Sequence, residues 1–171
     1  MALLPLLDTF DPRLREVADP VEKVDGAVRT IMNDLMETMT HVDGVGLAAP
    51  QVGIKKRIIA VDVRGWADDI DKPFLMANPI LEWTSEETQV VQEGCFSVPG
   101  AYENVTRPLE IKVSYLDENN TPQRLHAQGP LADCIQHEID HLNGILFIDH
   151  LSPLKQEMIL RKVRKIKRLN G

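Results

Sequence analysis

The sequence predicts an α+β fold, a single domain over residues 1–171 in which mixed, mostly antiparallel sheets pack around one central helix. Three observations point there. Apolar residues recur at helical spacing in three separate stretches, other stretches alternate or run apolar over strand lengths, and no repeat, low-complexity tract or linker divides the chain.

The first helix is predicted over roughly residues 25–42. Val24, Val28, Ile31, Met32, Leu35, Met36 and Met39 form its apolar stripe, and DGVG halts the pattern. KKRIIAVDV, residues 55–63, is a short apolar run bounded by charge and Gly65, which reads as a strand. LEIKVSYLD, residues 109–117, alternates with period two, and ENNTP supplies the turn that joins it to QRLHAQ as a hairpin. ANPIL and ETQVVQ are weaker strand signals. GPLADCIQHEIDHLN returns to helical spacing, with Gly129 able to precede the helix and Pro130 suited to its first position, where no amide donor is needed. A last helix follows Pro153, over about 153–168.

Bulk properties narrow the function. The 171 residues, 43% of them hydrophobic, suffice for one core that needs no covalent staple. No apolar run is long enough to span a bilayer and MALLPLL lacks a basic flank, so a cytoplasmic protein without a membrane role is expected. Cys95 and Cys134 read as free thiols. The net charge of −7 argues against general nucleic-acid binding. It is uneven, however: residues 154–171 hold seven Lys or Arg against the single Glu157.

The chemistry centres on QHEIDHLNG, residues 136–144. His137 and His141 stand four apart, so a helix puts both imidazoles on one face, a two-armed grip for a metal ion. A catalytic site of this kind usually has three protein ligands and one open position. Cys134 shares the helix face but lies seven residues before His141, roughly 10.5 Å along the axis, too far for three ligands of one helix to converge on one ion. It reads as an apolar lining residue. Asp149 and His150 fall in the strand-like ILFIDHLSP and lack the setting of a downstream zinc-protease ligand. Cys95, in QEGCFSVPG, sits where a loop or strand end can aim a thiolate across the fold. Residue chemistry alone leaves it balanced between ligand and inert buried cysteine.

GVGLAAPQVG at 44–53, EGCFSVPG at 93–100 and QHEIDHLNG at 136–144 resemble, in order and separation, the three signature motifs of the peptide deformylases. The resemblance runs from DPRLR near the start to LSPLKQ near the end. It implies a metal-dependent hydrolase that removes the N-formyl group from the initiator methionine of new polypeptides and releases formate. By the same resemblance Cys95, His137 and His141 hold one divalent ion, commonly Fe²⁺ in the family, with Zn²⁺, Ni²⁺ or Co²⁺ as alternatives. Glu138 is the expected general base, and Gln51 with the backbone N–H of Phe96 the expected oxyanion hole. Val45, Gly46, Glu93 and Gly94 are expected to pair with the peptide backbone by strand addition, and Cys134 to line the site. A monomer is expected, with the basic last helix as a docking element for the ribosome.

Two departures stand out. Phe96 occupies a position more often Leu, and GPLADC differs from the GLLA-type stretch at Pro130 and Asp133. Asp133 falls where an apolar or basic residue is expected. If these two positions line the methionine pocket, side-chain preference or inhibitor affinity shifts; if Asp133 faces water, its place in a first helical turn favours the helix dipole, and the second reading is the one expected for Asp133, with Pro130 left open. An HExxH metallopeptidase is the nearest competing reading. A formyl-peptide binder without turnover is the other, and the presence of Glu138 and Gln51 argues against it. Arg107 and Asp140 are open as partners standing behind the metal ligands, and His41, His126 and His150 are given no role.

Overall fold

The computed structural model describes residues 2–170, so Met1 and Gly171 of the predicted domain lie outside the described residues. Helix α1 (Gly26–His41) begins where the Asp25 carboxylate accepts a hydrogen bond from the Val28 N–H at 2.9 Å, satisfying one of the helix's free amides. Of the predicted stripe, Val28, Met32, Leu35 and Met39 are buried in the helix, together with Thr38, and Ile31 and Met36 are half-buried.

Strands β1 (Gly46–Ala48), β2 (Ile58–Val61), β3 (Phe74–Thr84), β6 (Glu110–Leu116) and β7 (Pro122–Gln128) form one antiparallel sheet in the order β1-β2-β3-β6-β7. β4 (Thr88–Cys95) and β5 (Val98–Pro108) form a separate two-stranded ribbon. Helix α2 (Gly129–Leu142) follows β7, and α3 (Pro153–Asn170) closes the described chain. The fold class is therefore as predicted.

β2 shows why its sequence is apolar throughout. Ile58 and Ala60 pack with the α1 residues, while Ile59 and Val61 pack with Leu131, Ile135 and Ile139 of α2. A strand covered on both faces has no polar side to show, so the period of two is hidden. A third cluster joins Val98, Ala101 and Val105 of β5 to Phe147, Ile148 and Val163, with Ile159 and Leu160 at its margin, and this seats α3.

Several expectations change. ILFIDHLSP is not a strand: residues Phe147–His150 form a single 3₁₀ turn. Phe147 and Ile148 are buried there without a partner strand, and the Asp149 carboxylate accepts the Leu146 N–H at 3.0 Å, holding the turn. The 55–63 strand is only Ile58–Val61, because Lys56 makes an isolated bridge to Asp19 instead. β3 and β4 are longer than ANPIL and ETQVVQ. β5, eleven residues long, was not anticipated, and neither was β1 within the glycine-rich motif. Gly129 adopts φ 61°, so regular helix begins at Pro130, as its ring favours.

Candidate metal centre

α2 is buried on nearly every side, so its polar residues must be matched from other elements or carry a cost. Gln136 spends its amide on the carbonyls of Pro108 (3.1 Å) and Ala132 (3.0 Å). The remaining buried polar side chains, Asp133, His137, Glu138 and His141, gather around one cavity and the end of β4.

There the ribbon turns tightly, with Cys95 paired to Val98 across a register shift, and this turn presents the thiol to the helix. Cys95 Sγ lies 3.4 Å from His141 Nε2, and single ligand atoms of Cys95, His137 and His141 all lie within 4.8 Å of one another. Two donors bound tetrahedrally at about 2.1 and 2.3 Å from a shared ion stand about 3.5 Å apart, so this spacing fits a divalent cation. One thiolate and two imidazoles are also the donor chemistry that such ions take. Cys134 is not in the group; its Sγ donates to the Val45 carbonyl at 3.3 Å, and burial raises its thiol pKa well above the ordinary value.

Of the two histidines, His137 is held from behind, whereas His141 Nδ1 is buried without a partner among the described residues. His137 Nδ1 is 2.8 Å from Glu93 Oε1, which leaves Nε2 for a cation. Burial disfavours charge on His137, but Cys95 and Glu93 beside it raise its pKa, and a metal ion would take the place of that proton. Burial, with the nearby His137 and Arg107, lowers the His141 pKa well below its usual value, so that imidazole is neutral.

Glu93 was expected to offer its neighbourhood to a peptide backbone; its side chain has an unforeseen second part. Arg107, on β5, donates to both Glu93 oxygens at 2.6 and 2.8 Å and to Asp140 at 2.9 Å. His150 Nε2 also meets Asp140, at 2.8 Å. Burial works to raise the Glu93 pKa, but Arg107 and His137 outweigh it and hold the carboxyl well below the usual range. Arg107, buried too, has its pKa raised by the same carboxylates. Arg107 and Asp140 were open in the sequence as partners standing behind the metal ligands, and the folded chain supplies the contacts, which no spacing rule between residues 93, 107, 137 and 140 could give.

Glu138 is 4% exposed, and its Oε1 is sealed without a hydrogen-bond partner. Burial raises its pKa to about 7, where a carboxylate accepts and returns protons readily near neutrality. Gly46 permits this packing, since a Cβ there would collide with the Glu138 carboxylate and the Cys134 thiol. Gln51 is supplied by a 3₁₀ turn, Ala49–Val52, that follows β1. Its Oε1 accepts the Ala48 N–H at 2.9 Å, which turns Nε2 toward Cys95 Sγ (3.4 Å) and Ser97 Oγ (3.3 Å). The amide thus presents a donor to the cluster.

Val45, Gly46, Gln51, Glu93, Gly94, Cys95, Phe96, Cys134, His137 and Glu138 all line a cavity of about 720 Å³, so sequence-selected residues other than His141 border one space. The Phe96 ring is accommodated by Gly44, where any Cβ would strike it. Asp133 does not face water as expected. It is 9% exposed, with Oδ1 3.6 Å from Arg107 Nε, and burial together with Glu93 raises its pKa to about 8. The reason is register: Asp133 lies one turn before His137 and shares its inward face.

The family profile described as Polypeptide deformylase matches residues 3–157. Among proteins of similar sequence, the peptide deformylase of Azotobacter vinelandii is 47% identical over 171 residues, covering all of both chains. That of Methylocella silvestris is 47% identical over 173 residues, covering all of this chain and 88% of the relative. Among solved structures, the peptide deformylase of Ehrlichia chaffeensis superposes with a TM-score of 0.93 at 40% identity, covering 99% of each chain. The same enzyme in complex with actinonin gives 0.93 at 41%, covering 98% of this chain and 99% of that one. The chain belongs to the peptide deformylase family.

Proposed function

We propose that the chain hydrolyses the N-formyl group from the formyl-methionine of nascent polypeptides, releasing formate, with Cys95, His137 and His141 holding one divalent cation. The observation that carries this reading is the 3.4 Å approach of Cys95 Sγ to His141 Nε2 beside a buried, unpartnered Glu138 oxygen. A cation bound there supplies Lewis acidity and makes a water acidic enough to ionise near neutral pH. Fe²⁺ is the proposed physiological ion.

Glu138 takes the proton from the attacking water and delivers it to the departing amine. Gln51 Nε2, held by its bond from Ala48, and the Phe96 N–H donate to the carbonyl oxygen as negative charge develops there. Among the described residues β1 is the outermost strand of its sheet and β4 pairs only with β5, so each has an edge free of strand partners there. A peptide laid between Val45 and Gly46 on one side and Glu93 and Gly94 on the other adds a strand, which reads little sequence. Cys134 borders its first side chain.

α3 carries the proposed ribosome contact. Lys155, Arg161 and Lys167 pair with acidic residues of the chain, whereas Lys162, Lys165 and Arg168 are exposed and have no ion-pair partner among the described residues. No helix among the described residues is long and apolar enough to cross a membrane. We take the enzyme to act as a monomer in the cytoplasm, where formylated chains emerge.

Formate release from formyl-Met-Ala, set against the unformylated and internal peptides, tests the function. Release from the formyl peptide alone is expected. Cleavage of the internal peptide instead would turn the reading to a metallopeptidase, and binding without formate would leave only a formyl-peptide binder.

A further inference from the structure

Gln51 and the Cys95 turn come from different parts of the fold. The 3₁₀ turn that carries Gln51 continues from β1 and belongs with the five-stranded sheet, whereas Cys95 and Ser97 lie where β4 turns into β5, in the separate ribbon. No ladder among the described residues joins the two sheets. Some other contact must fix the Gln51 amide against the Cys95 turn, because a misplacement of about 1 Å is enough to cost a preorganised donor most of its effect.

The N-terminal segment makes that connection. The Leu7 N–H donates to the Gln51 carbonyl at 2.8 Å, and the Thr9 N–H donates to the Ser97 carbonyl at 2.7 Å. Side chains close the loop, since Gln51 Nε2 donates to Ser97 Oγ at 3.3 Å and to Cys95 Sγ at 3.4 Å. Thr9, Gln51 and Ser97 are all buried, so a bond lost here is not replaced by one to solvent.

The segment is anchored on both sides of these bonds. Before them, the Leu4 N–H donates to Thr38 Oγ1 at 2.9 Å, and Leu4 and Leu6 pack with the α1 cluster. After them stands α3: Lys167 Nζ pairs with Asp8 at 2.9 Å, and Arg164 and Lys167 lie over the Phe10 ring, 5.2 and 5.5 Å from its centre. Asp8 also accepts the Phe10 N–H at 2.9 Å, which fixes the bend between them. Residues 7–10 do not line the cavity, so this strap acts on the site only through what it holds.

We infer that Leu7 and Thr9, clamped through Asp8 and Phe10 by α3, are positioning residues for the hydrolysis. Their amides set the separation between Gln51 and the Cys95 turn, and so aim Gln51 Nε2 at the carbonyl oxygen as it becomes negative. The inference rests on the function proposed above. It gives the face of α3 that holds Phe10 a part in the reaction rate, distinct from the exposed Lys162, Lys165 and Arg168.

The test measures kcat, KM and bound metal per chain for formyl-Met-Ala in the full-length holoenzyme. Leu7→Pro removes the donor to Gln51, and Leu7→Met keeps it. Leu7→Pro should lower kcat at least about tenfold with KM and metal content within about twofold of wild type, while Leu7→Met stays within about twofold in all three. The proline is then placed in Gln51→Ala, which has no side-chain donor to aim. There it should cost less than about twofold more, because a strap acting through Gln51 has nothing left to position. Should Leu7→Pro fail to fold, Phe10→Ala keeps every backbone donor and loosens only the clamp. It should lower kcat about threefold or more, again with no further loss in Gln51→Ala. A kcat loss that persists in full in Gln51→Ala, that follows lost metal or a raised KM, or that is missing from the folded variants would overturn the inference. Wild-type enzyme that releases no formate would instead overturn the function on which it rests.

Discussion

Helix α2 buries eleven of its fourteen residues, whereas α3, with eighteen, buries only Val163. Both helices are rich in ionisable side chains. In α2 most of those groups are buried; Asp140 is partly exposed and meets Arg107 and His150, His137 meets Glu93, and Asp133 Oδ1, Glu138 Oε1 and His141 Nδ1 have no hydrogen-bond partner among the described residues. In α3 they stand in solvent around a narrow apolar seam that sits on β5 and the Phe147 turn. The same residue types therefore carry chemistry in one helix and little structural energy in the other. Burial decides which.

The sharpest way to test the contrast is to change one ionisable group in α2. Glu138→Gln keeps the shape but cannot accept the water proton, so kcat should fall at least about 10³-fold with little change in metal content. A loss under tenfold, measured as formate released per bound metal, would remove Glu138 from the chemistry. Next comes the support behind the helix. Arg107→Met leaves the Glu93 and Asp140 carboxylates without their buried cation, and denaturant unfolding should show a loss of about 3–5 kcal/mol. A surface-like loss below about 1 kcal/mol would show that the ion pair does not hold the ribbon to α2.

A smaller effect is expected at Asp133. Its pKa of about 8 in the folded chain lies above the 3.8 of the free side chain, so between those values the folded state holds a proton that the unfolded state has lost. Stability from this group therefore falls as pH rises through that window. Asp133→Asn should remove the slope, raising Tm relative to wild type by about 2–4 °C at pH 8 and by less near pH 4. A difference that is flat with pH would refute the assignment. Smallest of all should be the structural effect of α3's charges: reversing Lys162, Lys165 and Arg168 to Glu should move stability by no more than about 0.5 kcal/mol. The same triple variant should lose salt-sensitive ribosome binding while still hydrolysing a short formyl peptide, and undiminished binding would end the docking proposal.

The contrast also explains what the bare sequence could disclose. α1 and α3 each have one wet face, so their apolar spacing reads directly, and residues 159, 163 and 166 are among those that pack or half-bury, with Leu160 beside them. β6 and β7 alternate for the same reason. β5 hides because Pro99, Gly100 and an inward Arg107 interrupt any simple period, and Arg107 is buried only by virtue of Glu93 and Asp140. At the site, the His137 and His141 pair was legible from helix geometry, whereas Cys95 was expected as a ligand only through the likeness of three motifs. Asp133 was misplaced because a charged residue near the start of a helix normally faces solvent. Here the partner that draws it inward lies forty residues away in the chain, on β4.

The central claim, that a thiolate from the ribbon and two imidazoles from α2 share one cation, is tested most directly by loading the protein with Co²⁺ and recording its near-ultraviolet thiolate-to-metal absorption. One Co²⁺ per chain is expected, with a band that disappears in Cys95→Ala and persists in Cys134→Ala. A band that survives in Cys95→Ala, or vanishes with Cys134, would contradict the account.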